Sequence, residues 1–289
     1  MSQPAPTLQT DPNRFVADII AETARTTPKN RLERLDGTRI FDAPLVGFAR
    51  GDDLVFQRFK TVVTDFHMMP AEALAVGTGR TIEPSQVSVV SWILPITSRT
   101  RAANRDNTRY PALRWAHTRA YGDAVHVAVR ERLIEVLTAA GYRAVAPTTL
   151  STFKTQDLAN GPASAWSERH VAFAAGLGTF GLSDGLITAR GVAHRVGSIV
   201  TDLPLMPTPR PFDTHTAYCL HLSGYECGEC IDRCPAGAIT EKGHDKIKCR
   251  GYAYGTLKPF AERHGTRPPG CGLCQTGVAC EFRIPARPT

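Results

Sequence analysis

The chain has 289 residues, enough for one large domain or two ordinary ones, and its 42% apolar and 21% charged residues exclude the disordered and fibrous classes. The formal charge of +7 admits a nucleic-acid partner, but the chain has no run of about five like charges to support one. No apolar run approaches the ~18 residues of a membrane helix. The opening residues MSQPAPTLQTDPNRF lack a basic start, an apolar stretch and a twin arginine, so a cytoplasmic location and no membrane partner are expected.

Residues 1–35 read as an N-terminal arm with a helix over 15–24, and a mixed α/β region follows over 36–205. The run 87–96, VSVVSWILPI, is β-branched and apolar with little alternation, which predicts a strand covered on both faces. Val125, Val129, Leu133, Val136 and Leu137 recur at helical spacing and predict a helix over 118–140, with Gly141 as its C-cap and a strand from Tyr142 to Val145. A second helix over 166–175 stops at Gly176-Leu177-Gly178, and short strands are expected at 186–188 and 196–201. The segment 203–212 carries four prolines and cannot continue a regular element, so residues 206–218 read as a linker to a second domain, 219–289. Arg101, Arg105 and Arg109 lie four apart and predict a solvated face, with an anion clamp as the alternative. His170, on the helix bearing Val171 and Phe173, reads as a core histidine.

All eight cysteines lie between Cys219 and Cys280. Scattered structural thiols would not segregate in this way, and disulfides are disfavoured in a chain without an export signal, so metal binding is the expected role. The core of the group is Cys227-Gly-Glu-Cys230-Ile-Asp-Arg-Cys234-Pro235, the last three ligands of a bacterial ferredoxin run C-x2-C-x2-C-x3-C-P, whose fourth cysteine serves the other cluster. Gly224 stands where the first ligand is expected, and Cys219 is free to replace it. Two cysteines three apart reach adjacent corners of one cubane, while the one after x3 is carried round to a neighbouring cluster. Applied to the whole set, this crossing rule assigns Cys219, Cys227, Cys230 and Cys280 to one [4Fe-4S] cluster and Cys234, Cys249, Cys271 and Cys274 to a second, with none left over. Two zinc sites, or one cluster with spare thiols, are the competing readings. Two oxidised clusters with their thiolates carry about −2 each and would bring the net charge to roughly +3. In the stretch 235–239, PAGAI, backbone N–H groups are expected to donate to cluster sulfur.

SERHVAFAAGLGTFGLSDGLIT (167–188), GSIVTDLPL (197–205), CGECIDRCPAGAI (227–239), KCRGYAYGTLKP (248–259) and GCGLCQTGVACEFRIP (270–285) together resemble epoxyqueuosine reductase and the related reductive dehalogenases over about 120 residues. The resemblance implies an α+β architecture: a nitroreductase-like α/β cofactor-binding domain followed by a ferredoxin-like domain with two [4Fe-4S] clusters. It implies a cobalamin in the first domain, reduced through the clusters, and an electron donor such as a ferredoxin or flavodoxin; nitroreductase-like folds also hold flavin. By carry-over, Gly176, Gly178, Thr179 and Gly181 would form a tight turn against the corrin. The family's proton-donating aspartate falls at Pro162 here, which leaves Asp157 as the nearest upstream candidate and Tyr110 as another proton donor; the lysine often found after the glycine turn is Leu182. These departures, and a chain that ends nine residues after Cys280 without a helical-repeat domain, predict a small-molecule substrate ahead of tRNA. The corresponding alternative is an accessory electron-transfer or cobalamin-handling protein.

Overall fold

The computed structural model describes residues 7–267 and 270–287. Asp11 caps helix α1 (Pro12–Thr26) by accepting a hydrogen bond from the Arg14 amide, and Pro12 sits in the first turn, where no N–H is required. Strand β1 (Leu45–Arg50) leads to α2 (Leu54–Val62), capped by Asp53, and to α3 (Pro70–Thr78). There follow β2 (Ser88–Pro95), α4 (Ser98–Arg105), α5 (Leu113–Tyr121) and α6 (Asp123–Ala139). The single helix expected over 118–140 is thus two. The chain turns at Gly122, where a Cβ would stand 2.5 Å from the Thr118 carbonyl oxygen and 2.7 Å from the Phe41 ring. Next come β3 (Ala144–Val145), the hairpin β4 (Thr155–Leu158) and β5 (Gly161–Ser164), α7 (Glu168–Ala174), the hairpin β6 (Gly178–Phe180) and β7 (Leu186–Thr188), and β8 (His194–Thr201).

The main sheet runs β1-β2-β8-β3 and is antiparallel throughout. Every residue of β2 is buried, which accounts for its unbroken apolar run. On one face α1 and α6 bring Val16, Ile20, Val129 and Leu133 against Val90, Trp92 and Leu94. On the other, α2, α3 and α7 bring Phe56, Phe59, Leu74 and Val171 against Val89 and Val200. The N-terminal helix therefore belongs to the main core and does not stand off as an arm. The proline-rich stretch forms no helix or strand, and it is laid along β1: the Thr208 amide donates to the Phe48 carbonyl at 2.9 Å, and the Phe48 amide donates to Thr208 Oγ1 at 3.0 Å.

The cysteine-bearing part contains little regular structure: α8 (Glu229–Asp232), the two-residue strands β9 (Ile239–Thr240) and β10 (Gly243–His244), α9 (Lys246–Arg250), a π-helical turn Gly251–Thr256 and α10 (Lys258–Arg263). It is held to the α/β part through α4. Glu281 accepts from Arg101 at 3.1 Å and from Arg105 at 2.6 and 2.7 Å, and its carboxylate is 2% exposed. Arg101 is itself buried, so the solvated arginine face expected at 101–109 is corrected: Arg101 and Arg105 both pair with the buried Glu281, Arg105 from the surface and Arg101 from inside, and Arg109 is exposed. Asn104, fully buried, donates to Thr276 Oγ1 at 3.0 Å, and Arg233 donates to the Asn104 and Arg105 carbonyls at 3.2 and 3.1 Å. The backbones also meet directly, with the Val192 and Ala193 amides donating to the Cys280 and Glu281 carbonyls at 2.9 and 3.2 Å. Among the described residues no helix is long and apolar enough to cross a membrane.

Candidate functional site

The eight cysteines are unpaired and fall into two sets of four. Cys219, Cys227, Cys230 and Cys280 line a small cavity of about 30 Å³. Cys234, Cys249, Cys271 and Cys274 line part of a much larger one of about 520 Å³. Local structure explains each set. The short helix α8 carries Cys230, and Glu229 on it accepts from the Ala279 amide, which draws Cys280 alongside. Gly272, at φ +59, brings its backbone flat against the Trp115 ring, where a Cβ would stand 2.0 Å away, and so seats Cys271 and Cys274 on α5. Cys230, on α8, and Cys234, just beyond its end, lie four residues apart in sequence, so a short stretch of chain links the two sets. The Ala238 amide donates to Cys234 Sγ at 3.3 Å.

Burial, reinforced by the neighbouring thiols, pushes Cys230 and Cys280 up to about 12 and Cys249 up to about 11. Raised this far, these groups are protonated thiols, and metal ligation would release their protons. Among the described residues no three or more His, Cys, Asp or Glu side chains converge as a group that could hold a metal ion; the thiols instead ring the two cavities.

The large cavity lies between the second cysteine set and the α/β part. Its other walls are the approach to α7 and its first turn (Trp166 to Arg169), the start of β8 (His194 to Val196), α5 (Trp115, Thr118, Arg119) and Tyr252 of the π-helical turn. Such a turn widens a helix locally and is often found at functional sites. Glu168 is held by Arg130 at 2.9 Å and by the Ser198 hydroxyl at 2.6 Å; burial pushes its carboxyl up, against the pull of both partners. Burial lowers His194 to about 4, so the ring is neutral; its Nε2–H donates to the Leu186 carbonyl at 2.7 Å and leaves Nδ1 without a partner. Thr118 Oγ1 and Thr148 Oγ1, in the same wall, are also buried and unpartnered. Unpaired polar atoms around a large cavity fit a ligand fringed with hydrogen-bonding groups.

Several sequence-predicted residues lie elsewhere. Gly176, Gly178 and Thr179 do not face the large cavity. Gly176 (φ +74) ends α7 against the Pro209 carbonyl, a Cβ on Gly178 would stand 2.2 Å from the Ile187 carbonyl, and Thr179 Oγ1 accepts from the Tyr218 amide. Close backbone packing explains these glycines, and Gly181 lines the smaller thiol cavity. The residues this segment contributes to the large cavity are Ser183, Gly185 and Leu186. Asp157 is corrected as a proton donor: it sits opposite Pro162 on the β4–β5 hairpin, 68% exposed, paired with Arg250 outside the cavity. Tyr110 is corrected likewise, for its ring stacks on Phe260 at 5.7 Å beside a separate surface cleft. His170 is largely buried between Phe59 and Phe180, held at Nδ1 by Ser167, as expected of a core histidine. Arg119 and Arg195, which also border the cavity with Tyr252, carry no local mark in the sequence. Only Tyr252 had a signal, its place in the KCRGYAYG segment.

The fold is thus a mixed α/β sheet domain joined to a compact cysteine-rich part, with a cavity at their junction. No family profile matches the chain. Over 116 residues it is 30% identical to an epoxyqueuosine reductase of Bacillus anthracis, a stretch covering 38% of this chain and 28% of that protein. It is 33% identical over 104 residues to a tetrachloroethene reductive dehalogenase of Desulfitobacterium hafniense, covering 35% of this chain and 18% of that one. Among solved structures, a catabolic reductive dehalogenase shares the fold, with a TM-score of 0.51, 17% identity, and coverage of 84% of this chain and 30% of that chain. The chain is similar to epoxyqueuosine reductases and reductive dehalogenases, and its matches span less than a third of those curated relatives' lengths.

Proposed function

We propose that this protein is a cobalamin-dependent iron–sulfur oxidoreductase acting on a small molecule. One observation carries the reading. The thiols divide four and four around two cavities, and the second set opens onto the large cavity beside the sheet domain. A zinc ion would need four thiols drawn onto one point, whereas a cubane needs them spread around a volume. Cys219, Cys227, Cys230 and Cys280 would hold the outer cluster, and Cys234, Cys249, Cys271 and Cys274 the inner one. The walls formed by Thr118, Thr148 and His194 offer unpaired donors and an acceptor to an amide-fringed corrin.

When bound, these groups supply low-potential electrons and a cobalt centre that can deliver them. The chain's own residues position and insulate. Trp115, Trp166 and Phe153 exclude water from the cavity wall. Arg169 lies within electrostatic reach of Cys249 and Cys274 and offsets the charge of their thiolates. The short covalent link from Cys230 to Cys234 joins the two cluster sites.

A second reading, an accessory electron-transfer or cobalamin-handling protein, is favoured by Asp157, whose carboxylate is engaged with Arg250 outside the cavity. Anaerobic reconstitution decides the matter. Iron, sulfide, cobalt and flavin are quantified per chain, and about eight irons with matching sulfide and tight cobalamin binding are expected. Turnover of an epoxide or halide under strong reductant supports the enzyme. Binding without turnover supports the second reading, and zinc or disulfides in place of iron would refute both.

A further inference from the structure

The large cavity carries more positive charge than the cysteine set beside it accounts for. Three arginines line it: Arg119 of α5, Arg169 of α7 and Arg195 of β8. Arg169 donates to the Asp184 carbonyl and lies within electrostatic reach of the Asp184 carboxylate, which the other two arginines do not share. Arg195 approaches a carboxylate, Asp123, no closer than 3.7 Å, and Asp123 is 60% exposed. Arg119 is half-buried and has no hydrogen bond or ion pair among the described residues. The acidic residue of the same wall, Glu168, is taken up by Arg130 and Ser198.

Two further features point the same way. Thr118, adjacent to Arg119, is 1% exposed, and its Oγ1 has no partner. Burial and the repulsion of Arg119 and Arg169 lower Arg195 to about 10, a cost that an anion in the cavity would relieve. A guanidinium pair with a buried hydroxyl beside it is suited to a tetrahedral or planar oxyanion.

We propose that Arg119 and Arg195, with the Thr118 hydroxyl, form a binding site for a phosphate- or carboxylate-type anion. The proposal rests on reading the cavity as the chamber for cofactor and substrate. Two sources carry this chemistry: the phosphodiester of a corrinoid's nucleotide, and an acid group on the substrate.

The test uses anaerobically reconstituted wild-type protein with Arg119→Gln, Arg195→Gln and Arg119→Lys. Affinities for inorganic phosphate, acetate, cobalamin and cobinamide, the corrinoid without the phosphodiester-linked nucleotide, are measured by equilibrium dialysis. Unchanged iron content and thermal midpoint establish that each variant is folded. An anion site for substrate predicts phosphate or acetate binding that weakens about 10- to 100-fold in each Gln variant and recovers in part in Arg119→Lys, with both corrinoids unaffected. A site for the cofactor's phosphate predicts a comparable loss for cobalamin and none for cobinamide. The proposal is overturned if the Gln variants change none of these affinities, or if wild type binds neither phosphate nor acetate while cobalamin is insensitive to both substitutions. Wild-type protein that binds no corrinoid refutes the cobalamin reading, and the phosphate and acetate measurements still decide this one.

Discussion

Replacing Glu281 by alanine should destabilise the junction of the two parts of the molecule by about 3–5 kcal/mol, the usual cost of breaking a buried ion pair from one side. The Arg101 side chain is 11% exposed, so without the carboxylate its charge stays buried and unpaired. Arg105, at 42% exposure, can turn to water and contributes less. The Gly277 amide, which donates to Glu281 at 2.8 Å, also loses its acceptor. Urea denaturation of the anaerobic reconstituted protein, followed by cluster absorbance and far-ultraviolet circular dichroism together, reads the loss as a lower midpoint. Substituting Arg101 and Glu281 together by leucine removes both charges and should recover most of the loss. Burial tends to raise the Glu281 carboxyl, but Arg105, the Gly277 amide and Arg101 hold it below the ordinary value. Its contribution is therefore full above the unfolded carboxyl value of about 4.3 and is lost as pH falls through the lower folded value. The gap between wild type and Glu281→Gln should narrow over that range. A loss below about 1 kcal/mol for Glu281→Ala, the size expected of an exposed pair, would refute the claim that this contact holds the junction.

Other outcomes follow from the same geometry. Cys280→Ala should lose the iron of the outer cluster and keep the inner one, and Cys249→Ala the reverse, as read by iron and sulfide analysis; equal loss in both would contradict the four-and-four division. Gly272→Ala should destabilise by about 2–5 kcal/mol, because a left-handed backbone and a 2.0 Å approach to the buried Trp115 combine, whereas Gly79→Ala, at φ +69 with nothing within 4 Å, should cost only about 1–2 kcal/mol in thermal denaturation. Burial lowers His67 and His194 to about 4 and His170 to about 3. The unfolded chain binds more protons here, so stability should be full above the unfolded histidine value of about 6.5 and fall as pH drops toward 4 and then 3. His67→Gln, His170→Gln and His194→Gln together should flatten that slope in denaturation midpoints measured from pH 7 to 5.

Local signals made much of the fold legible. The apolar run at 87–96 announced a strand covered on both faces because no polar alternation interrupts it, and β2 is that strand. The Val125–Leu137 spacing announced α6, and the prolines of 203–212 announced a stretch without regular structure. The spacing of the cysteines also implied a division into fours, since three residues of helix and a proline determine which way each thiol faces.

Long-range packing decided the rest. Nothing local distinguishes Arg101, buried on Glu281 some 180 residues away, from the exposed Arg109. The glycines at 176 and 178 carry no mark in sequence of whether a ligand or a carbonyl lies opposite; only the folded chain places Pro209 and Ile187 there. Arg119 and Arg195 stand on a helix and a strand far apart in sequence and share a cavity only because α5 and β8 both border the second cysteine set. Backbone periodicity and thiol spacing are determined over a few residues, whereas the walls of a cavity are determined by which distant segments pack against one another.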